Sequence, residues 1–145
     1  MIPNGVRLRW TEGKPVINGW LSTSSAFVAE IMSAQGYDSL TIDLQHGLVG
    51  YEAATAMLQA MRASGVTPMV RVPWLDPGDI MKALDAGAYG IICPMINTRK
   101  EAEALVQAGR YAPMGARSIG PFRAAHYGGA DYAQHANTEI LLLAM

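Results

Sequence analysis

Residues 39–72 decide the fold class, and they read SLTIDLQHGLVGYEAATAMLQAMRASGVTPMVRV. The stretch begins with Ser39–Leu44, a run rich in Leu, Ile and Thr that is typical of a buried strand. Tyr51–Ala63 then has apolar residues at helical spacing, and Gly65 ends this helix. A second strand-like run follows at Pro68–Val72. A strand, a helix and a strand in this order predict a βαβ unit with parallel strands.

The same alternation extends toward both ends of the chain. Further strands are expected at Val16–Leu21, Tyr89–Met95 and Glu139–Met145. Three further helices are expected: one capped by Ser24 or Ser25 and ending near Gly36, one from Asp76-Pro77 to Gly87, and one opened by a capping box, Thr98–Glu101. The Gly- and Pro-containing stretch Tyr111–Asn137 breaks the alternation. It predicts a long loop, and loops of that length in a compact domain are usually functional.

Four strand-helix units and a fifth strand predict an α/β fold with a parallel sheet. The last strand, Ile140–Met145, has no helix after it to cover it, although parallel strands are normally covered on both faces. We therefore expect residues 1–145 to be the N-terminal portion of a single TIM-barrel domain, supplying about five of the eight strands. A complete (β/α)₈ barrel typically needs about 250 residues. The alternative is a complete, open five-stranded sheet of the flavodoxin type.

Composition excludes several classes of protein. The chain has 11 Lys+Arg and 12 Asp+Glu, a net charge of −1, and 50% apolar residues. This balance excludes a disordered tail and argues against nucleic-acid binding through bulk charge. No apolar run approaches the roughly 18 residues of a membrane span, and the N-terminus lacks a signal-peptide pattern. The single cysteine, Cys93, fits a reducing compartment, so a cytoplasmic location is expected.

Polar residues cluster where the predicted strands end, which is where α/β proteins place their chemistry. Asp43 and Gln45 share strand parity, and His46 lies just beyond them. An Asp three residues before a His can hold the imidazole in one tautomer for acid-base catalysis. The alternative is that Asp43 caps a turn and His46 is a solvated loop residue.

The remaining candidates are an aromatic residue and three arginines. Arg71 lies within an otherwise uncharged strand, so it requires either an anionic ligand or a structural ion pair, for which Asp43 is a candidate partner. Arg117 and Arg123 lie in the predicted long loop, where they can bind a second carboxylate or be surface charges. Trp20 can line a pocket or belong to the core. No nucleotide-binding glycine motif follows the first strand.

The chain resembles the HpcH/HpaI family of metal-dependent pyruvate aldolases from about Asn4 to Met145. Five motifs in register carry this resemblance: GWL at 19–21, YDSLTIDLQHG at 37–47, MVRVPW at 69–74, DAGAYGIICPMI at 85–96 and RYAPMGAR at 110–117. The resemblance implies a (β/α)₈ barrel, usually a homohexamer. It also implies a lyase that reversibly cleaves a 4-hydroxy-2-oxo acid into pyruvate and an aldehyde. A divalent ion, Mg²⁺, Mn²⁺ or Co²⁺, would stabilise the enolate.

The resemblance also implies roles for individual residues. His46 matches the acid/base histidine, Asp43 its orienting acid, and Arg71 the arginine that contacts the keto oxygen. Trp20, Gln45 and Arg117 are expected to contribute to substrate binding. Gln45 stands where many relatives have Glu, and Ser118 stands where relatives usually have Gly.

The family's metal ligands, a Glu after the fifth strand and an Asp after the sixth, would lie beyond Met145. No metal ligand is therefore expected within this chain. Two alternatives to the aldolase remain open. One is a related carbon–carbon lyase, acting on an acyl thioester or decarboxylating oxaloacetate, and the other is a non-catalytic fragment.

Overall fold

Five parallel strands form one sheet, and their order in the sheet is their order in the chain. The computed structural model describes all 145 residues. The strands are β1 (Asn18–Leu21), β2 (Ser39–Asp43), β3 (Thr67–Arg71), β4 (Gly90–Cys93) and β5 (Leu141–Ala144). A flavodoxin-type sheet has the strand order 2-1-3-4-5. The consecutive order therefore excludes that alternative and matches one side of a (β/α)₈ barrel.

Seven α-helices accompany the sheet. They are α1 (Gly5–Thr11), α2 (Ala26–Ser33), α3 (Tyr51–Ala60), α4 (Pro77–Asp85), α5 (Arg99–Gly109), α6 (Phe122–Gly128) and α7 (Tyr132–Glu139), and a 3₁₀ turn, Met61–Ala63, follows α3. The predicted caps are confirmed for three of them. Ser25 caps α2, Asp76 caps α4 with Pro77 in its first turn, and Thr98 forms a capping box with Glu101 at the start of α5.

The two faces of the sheet have different compositions. On the outer face, Leu40, Ile42, Val70 and Ile91 are fully buried in the apolar core. The opposite face is polar near its amino end, where the hydroxyl groups of Ser39 and Thr41 donate to Asn18 Oδ1 at 2.8 and 3.0 Å. Strand alternation places Asp43 on this second face, and the β2–β3 register sets it directly opposite Arg71.

The N-terminal helix α1 was not predicted, although its cap is visible in the sequence. Asn4 Oδ1 accepts hydrogen bonds from the backbone N–H groups of Val6 and Arg7 at 3.1 and 3.3 Å. The same side chain donates to the carbonyl oxygens of Tyr89 and Glu139. Asn4 therefore attaches α1 to the amino ends of β4 and β5.

The prediction of a loop over Tyr111–Asn137 was wrong, because α6 and α7 lie within it. Neither helix has a side-chain cap, so the usual start signal is missing. Tertiary contacts stabilise this segment instead: Tyr132 is fully buried, and the Asn137 amide makes two hydrogen bonds with the backbone of Tyr111. Glu139 ends α7, so β5 begins two residues later than predicted. No helix is both long enough and apolar enough to cross a membrane.

Candidate active site

An ion pair between β2 and β3 organises the carboxyl end of the sheet. Arg71 Nε lies 2.8 Å from Asp43 Oδ1, and Arg71 Nη2 lies 2.6 Å from Asp43 Oδ2. Only 5% of the Asp43 side chain and 15% of the Arg71 side chain is exposed. The hydrogen bond from Arg71 lowers the pKa of Asp43, although burial opposes this shift. The structural ion pair considered for Arg71 is therefore present.

Trp20 on β1 fixes the same guanidinium group from another side. Its ring centroid lies 4.7 Å from Arg71 Cζ, within the range of a cation–π contact. Arg71 Nη1 makes no hydrogen bond, in contrast to Nε and Nη2. The guanidinium group of Arg71 is therefore fixed in position, and its Nη1 edge is free to bind an anionic oxygen.

The turn after β2 also depends on Asp43. Its Oδ1 atom accepts hydrogen bonds from the backbone N–H groups of Gln45 and His46 at 3.0 and 3.2 Å. Gly47 permits this tight turn, because a β-carbon there would press against the Asp43 carbonyl oxygen and lie 3.1 Å from Ser22 Cα. Gly47 lies within the motif at 37–47, but its role in the turn was not predicted from the sequence.

The expected contact between Asp43 and the His46 imidazole is absent. Both Asp43 oxygens are occupied by Arg71 and the backbone, and the His46 ring is exposed without a hydrogen-bond partner. Asp43 therefore fixes the backbone at His46 and leaves the ring free to turn toward a substrate. Gln45 lies beside it, and its Oε1 atom is buried without a partner. The structure thus brings together Trp20, Asp43, Gln45, His46 and Arg71.

Arg117 is not part of this group. It lies between α5 and α6, and its fully buried side chain pairs with Asp85 at the end of α4, with Nη2 2.6 Å from Oδ1. The rings of Tyr111 and Tyr132 lie 4.5 and 5.8 Å from its guanidinium carbon. Since α4 ends where β4 begins, this pair lies at the amino end of the sheet. Direct substrate contact by Arg117 at the β2–β3 site is therefore inconsistent with the structure.

The chain contains no ready-made metal centre. No group of three or more His, Cys, Asp or Glu side chains is arranged to hold a metal ion. Asp43, the acidic residue at the site, already uses both oxygens in hydrogen bonds. The residues present therefore do not fit a metal-ligand set.

Known proteins of one family resemble the chain in sequence. The HpcH/HpaI aldolase/citrate lyase family profile matches residues 17–145. A hydroxypyruvate/pyruvate aldolase from Rhizorhabdus wittichii is 44% identical over 142 residues, which cover 98% of this chain and 57% of that protein. A 4-hydroxy-2-oxo-heptane-1,7-dioate aldolase from Escherichia coli is 34% identical over 143 residues, covering 97% and 55% of the two chains.

A solved structure shows the same likeness. An HpcH/HpaI aldolase/citrate lyase family protein from Burkholderia cenocepacia superimposes with a TM-score of 0.88 at 33% identity, covering 97% of this chain and 58% of that one. The predicted α/β fold of the TIM-barrel class is thereby confirmed. The chain spans about half the length of the curated relatives that it matches. Because the family profile covers most of its residues, the chain belongs to the HpcH/HpaI aldolase/citrate lyase family.

Proposed function

We propose that the intact protein is a pyruvate aldolase, which reversibly cleaves a 4-hydroxy-2-oxo acid into pyruvate and an aldehyde. The observation that carries this proposal is the Arg71 guanidinium, held by Asp43 and Trp20 with Nη1 free beside the His46 turn. The names of the relatives support the same reaction class. Hydroxypyruvate is a second candidate for the keto-acid component, since one relative is named for both compounds.

In the proposed reaction, Arg71 binds the keto oxygen of the substrate through its free edge. When the C3–C4 bond breaks, its electron pair forms the enolate of pyruvate, and negative charge develops on that oxygen. A fixed donor that faces developing charge lowers the barrier more than a mobile one. The contacts with Asp43 and Trp20 therefore prepare Arg71 for this role before the substrate binds.

His46 would move the proton. Cleavage requires removal of the hydroxyl proton at C4, and an imidazole ring nitrogen accepts a proton readily near neutral pH. The enolate carbon C3 then takes up a proton to give pyruvate. The ring of His46 suits this task because it is exposed and has no hydrogen-bond partner within the protein, on a backbone fixed by Asp43.

We further propose that the intact enzyme requires a divalent ion, Mg²⁺, Mn²⁺ or Co²⁺, with ligands that are not among residues 1–145. When bound, such an ion supplies Lewis-acid stabilisation of an enolate. Removal of metal by a chelator should then abolish pyruvate release, and adding back one of these ions should restore it. An activity that survives chelation and is lost on borohydride treatment would instead indicate a Schiff-base lysine.

Assembly and location are proposed on separate grounds. Phe27, Leu48, Ile119 and Phe122 are large apolar side chains with exposures of 68, 84, 69 and 94%. Exposed apolar groups of this kind often mark subunit contacts, so we propose a homo-oligomer, with a hexamer as the expected state. Light scattering on the intact protein tests the proposed oligomeric state.

A cytoplasmic location is proposed because the one cysteine, Cys93, is free and buried.

A lactate dehydrogenase-coupled assay of pyruvate release tests the aldolase proposal. We expect His46→Gln to lower kcat about 10²- to 10⁴-fold, the usual effect of losing a general acid/base. His135→Gln is the matched control, since His135 is an exposed histidine on α7. Equal activity in the two variants would exclude His46 from proton transfer.

The family description also includes citrate lyase, so acyl-thioester substrates belong in the same screen. Cleavage of thioesters alone would replace the aldolase assignment.

A further inference from the structure

A second polar pocket lies away from the β2–β3 site, between the 3₁₀ turn after α3 and helix α6. Its volume is about 280 Å³, and its lining residues are Gln59, Arg62, Arg123, His126 and Tyr127. Arg62 follows α3, and Arg123 reaches the carbonyl oxygen of Ala86 at the end of α4. Helices in a parallel α/β fold end at the amino side of the sheet. The pocket therefore opens on the face opposite to the candidate active site.

The two arginines of this pocket form no ion pair with a carboxylate. Arg7 and Arg110 also form none, whereas the other four arginines of the chain do. Arg9, Arg71, Arg99 and Arg117 each form an ion pair with an Asp or Glu. Arg62 and Arg123 form none, and no acidic residue lines the pocket. Two guanidinium groups therefore share a partly enclosed space without a neutralising charge, an arrangement that favours binding of an anion.

The rest of the chain holds both guanidinium groups in place. Arg62 lies 5.9 Å from the Tyr127 ring centroid, and its Nη1 atom is 3.3 Å from His126 Nε2. Arg123 is half-buried, and Gly87 leaves room for it, since a β-carbon at that position would collide with Arg123 Nη1. Burial lowers the pKa of Arg123, Tyr127 opposes this shift, and the Arg62 charge adds to it. Neither arginine uses all of its N–H donors within the protein.

Other side chains supply additional donors. The Tyr127 hydroxyl has no hydrogen bond within the protein, and burial raises the pKa of Tyr127 against the effect of Arg123 and Arg62. The Gln59 amide is exposed at the rim of the pocket. A tetrahedral oxyanion accepts several hydrogen bonds at once, and arginine binds phosphate through two parallel N–H groups. The volume of about 280 Å³ lies below the usual range for drug-sized ligands and accommodates a phosphate group or a small phosphomonoester.

We propose that this pocket is a phosphate-binding site, in which Arg62 and Arg123 hold a phosphate group that is either free or carried by a small phosphomonoester. The bound group would join the turn after α3, the end of α4 and helix α6. The site is independent of the proposed aldolase chemistry, since it shares no residue with the β2–β3 site.

Histidine NMR on the intact protein provides a local measurement. His126 lies in the pocket, His46 lies at the candidate active site, and His135 lies on α7. Inorganic phosphate, titrated against chloride at equal ionic strength and constant pH, should shift the resonance that disappears in His126→Gln. The shift should saturate, and Arg62→Gln should weaken binding at least tenfold. Glycerol 3-phosphate, titrated in parallel, distinguishes a site for free phosphate from a site for a phosphomonoester.

Arg99→Gln is the matched control, because Arg99 is an exposed arginine on α5. It should bind phosphate as tightly as the unchanged protein. Arg123→Gln should also weaken phosphate binding, but it removes a contact with the end of α4, so its folding is checked by circular dichroism. If Arg123→Gln does not fold, the comparison of Arg62→Gln with Arg99→Gln is sufficient, because Arg62 is exposed. The proposal fails if phosphate shifts only the His46 resonance, or if Arg62→Gln and Arg99→Gln bind phosphate equally.

Discussion

Replacing Asp43 by Asn tests whether this carboxylate acts through Arg71. An Asn side chain has the same shape, and its Oδ1 atom can still accept from the backbone of Gln45 and His46 and from Arg71 Nε. Its amide nitrogen, however, would take the place of Oδ2, which lies 2.6 Å from Arg71 Nη2. Two N–H donors would then face each other, and Arg71 would lose its countercharge.

The structure sets the expected size of both effects. One charge-assisted hydrogen bond is lost, which is worth about 1.5–3 kcal/mol. Arg71 is 15% exposed and keeps the Trp20 ring, so we expect a loss of about 2 kcal/mol in the free energy of unfolding. Displacement of a donor that faces developing negative charge typically lowers kcat about 10²- to 10³-fold. We expect kcat/KM for pyruvate release to fall by a similar factor.

Urea unfolding and the coupled pyruvate assay measure these two quantities. Asp76→Asn is the matched control, because Asp76 is an exposed helix cap and Asn caps helices equally well. A double-mutant cycle then identifies the partner. Asp43→Asn should add little to the effect of Arg71→Gln on activity, and it should add fully to the effect of His46→Gln. The reverse pattern, or near-normal activity of Asp43→Asn, would refute the argument.

Three further predictions concern stability and turn geometry. The pKa of Asp43 is lowered from its ordinary value of 3.8, so the stabilisation by its carboxylate is present above that value and is lost as the pH falls through the lowered pKa. In urea titrations, the difference in unfolding free energy between the unchanged protein and Asp43→Asn should therefore shrink below about pH 4. Gly47→Ala should lower the free energy of unfolding by about 1–3 kcal/mol, because the new β-carbon would press against the Asp43 carbonyl oxygen, and it should also reduce pyruvate release. Gly13→Ala is the control: its β-carbon would contact no neighbour, but its φ of 69° is strained for alanine. It therefore shows whether backbone strain alone has this effect. Arg117→Met should lower the free energy of unfolding by about 3 kcal/mol and leave kcat/KM of the folded fraction unchanged. A large loss of kcat/KM without destabilisation would instead indicate that Arg117 contacts the substrate.

The sequence predicted the elements that carry local signals. Caps at Ser25, Asp76 and Thr98 placed α2, α4 and α5, because a side-chain acceptor near the first N–H groups is a short-range feature. Strand parity likewise placed Asp43 on one face. Its pairing with Arg71 required the β2–β3 register, which two separate segments determine jointly and which neither segment displays alone.

Elements stabilised from a distance were not predictable in this way. α7 lacks a side-chain cap, and it depends on the burial of Tyr132 and on the Asn137 contacts with Tyr111. The same segment contains Arg117, whose partner Asp85 lies 32 positions earlier in the chain. An arginine in a Gly- and Pro-containing stretch is usually exposed. Only the three-dimensional contacts reveal that it is buried.

The two buried ion pairs show how similar chemistry leads to different roles. Asp43–Arg71 and Asp85–Arg117 both have a shortest N–O distance of 2.6 Å. Burial acts to lower the pKa of Arg117, but the surrounding Tyr132 and Asp85 raise it and hold the charge in place. Its Nη atoms face Asp85 and Tyr132, and its Nε atom is buried without a partner, so the protein encloses the whole guanidinium group.

Arg71 differs because its side chain is still 15% exposed and its Nη1 atom is unused, while Asp43 and Trp20 hold the rest of the guanidinium group. It also lies at the carboxyl end of the sheet, where loops after several strands can enclose a small substrate. An arginine whose donors are partly committed within the protein is fixed in position, and it can still bind a substrate. That combination, rather than burial or pairing alone, distinguishes the residue expected to stabilise an enolate from the one that stabilises the fold.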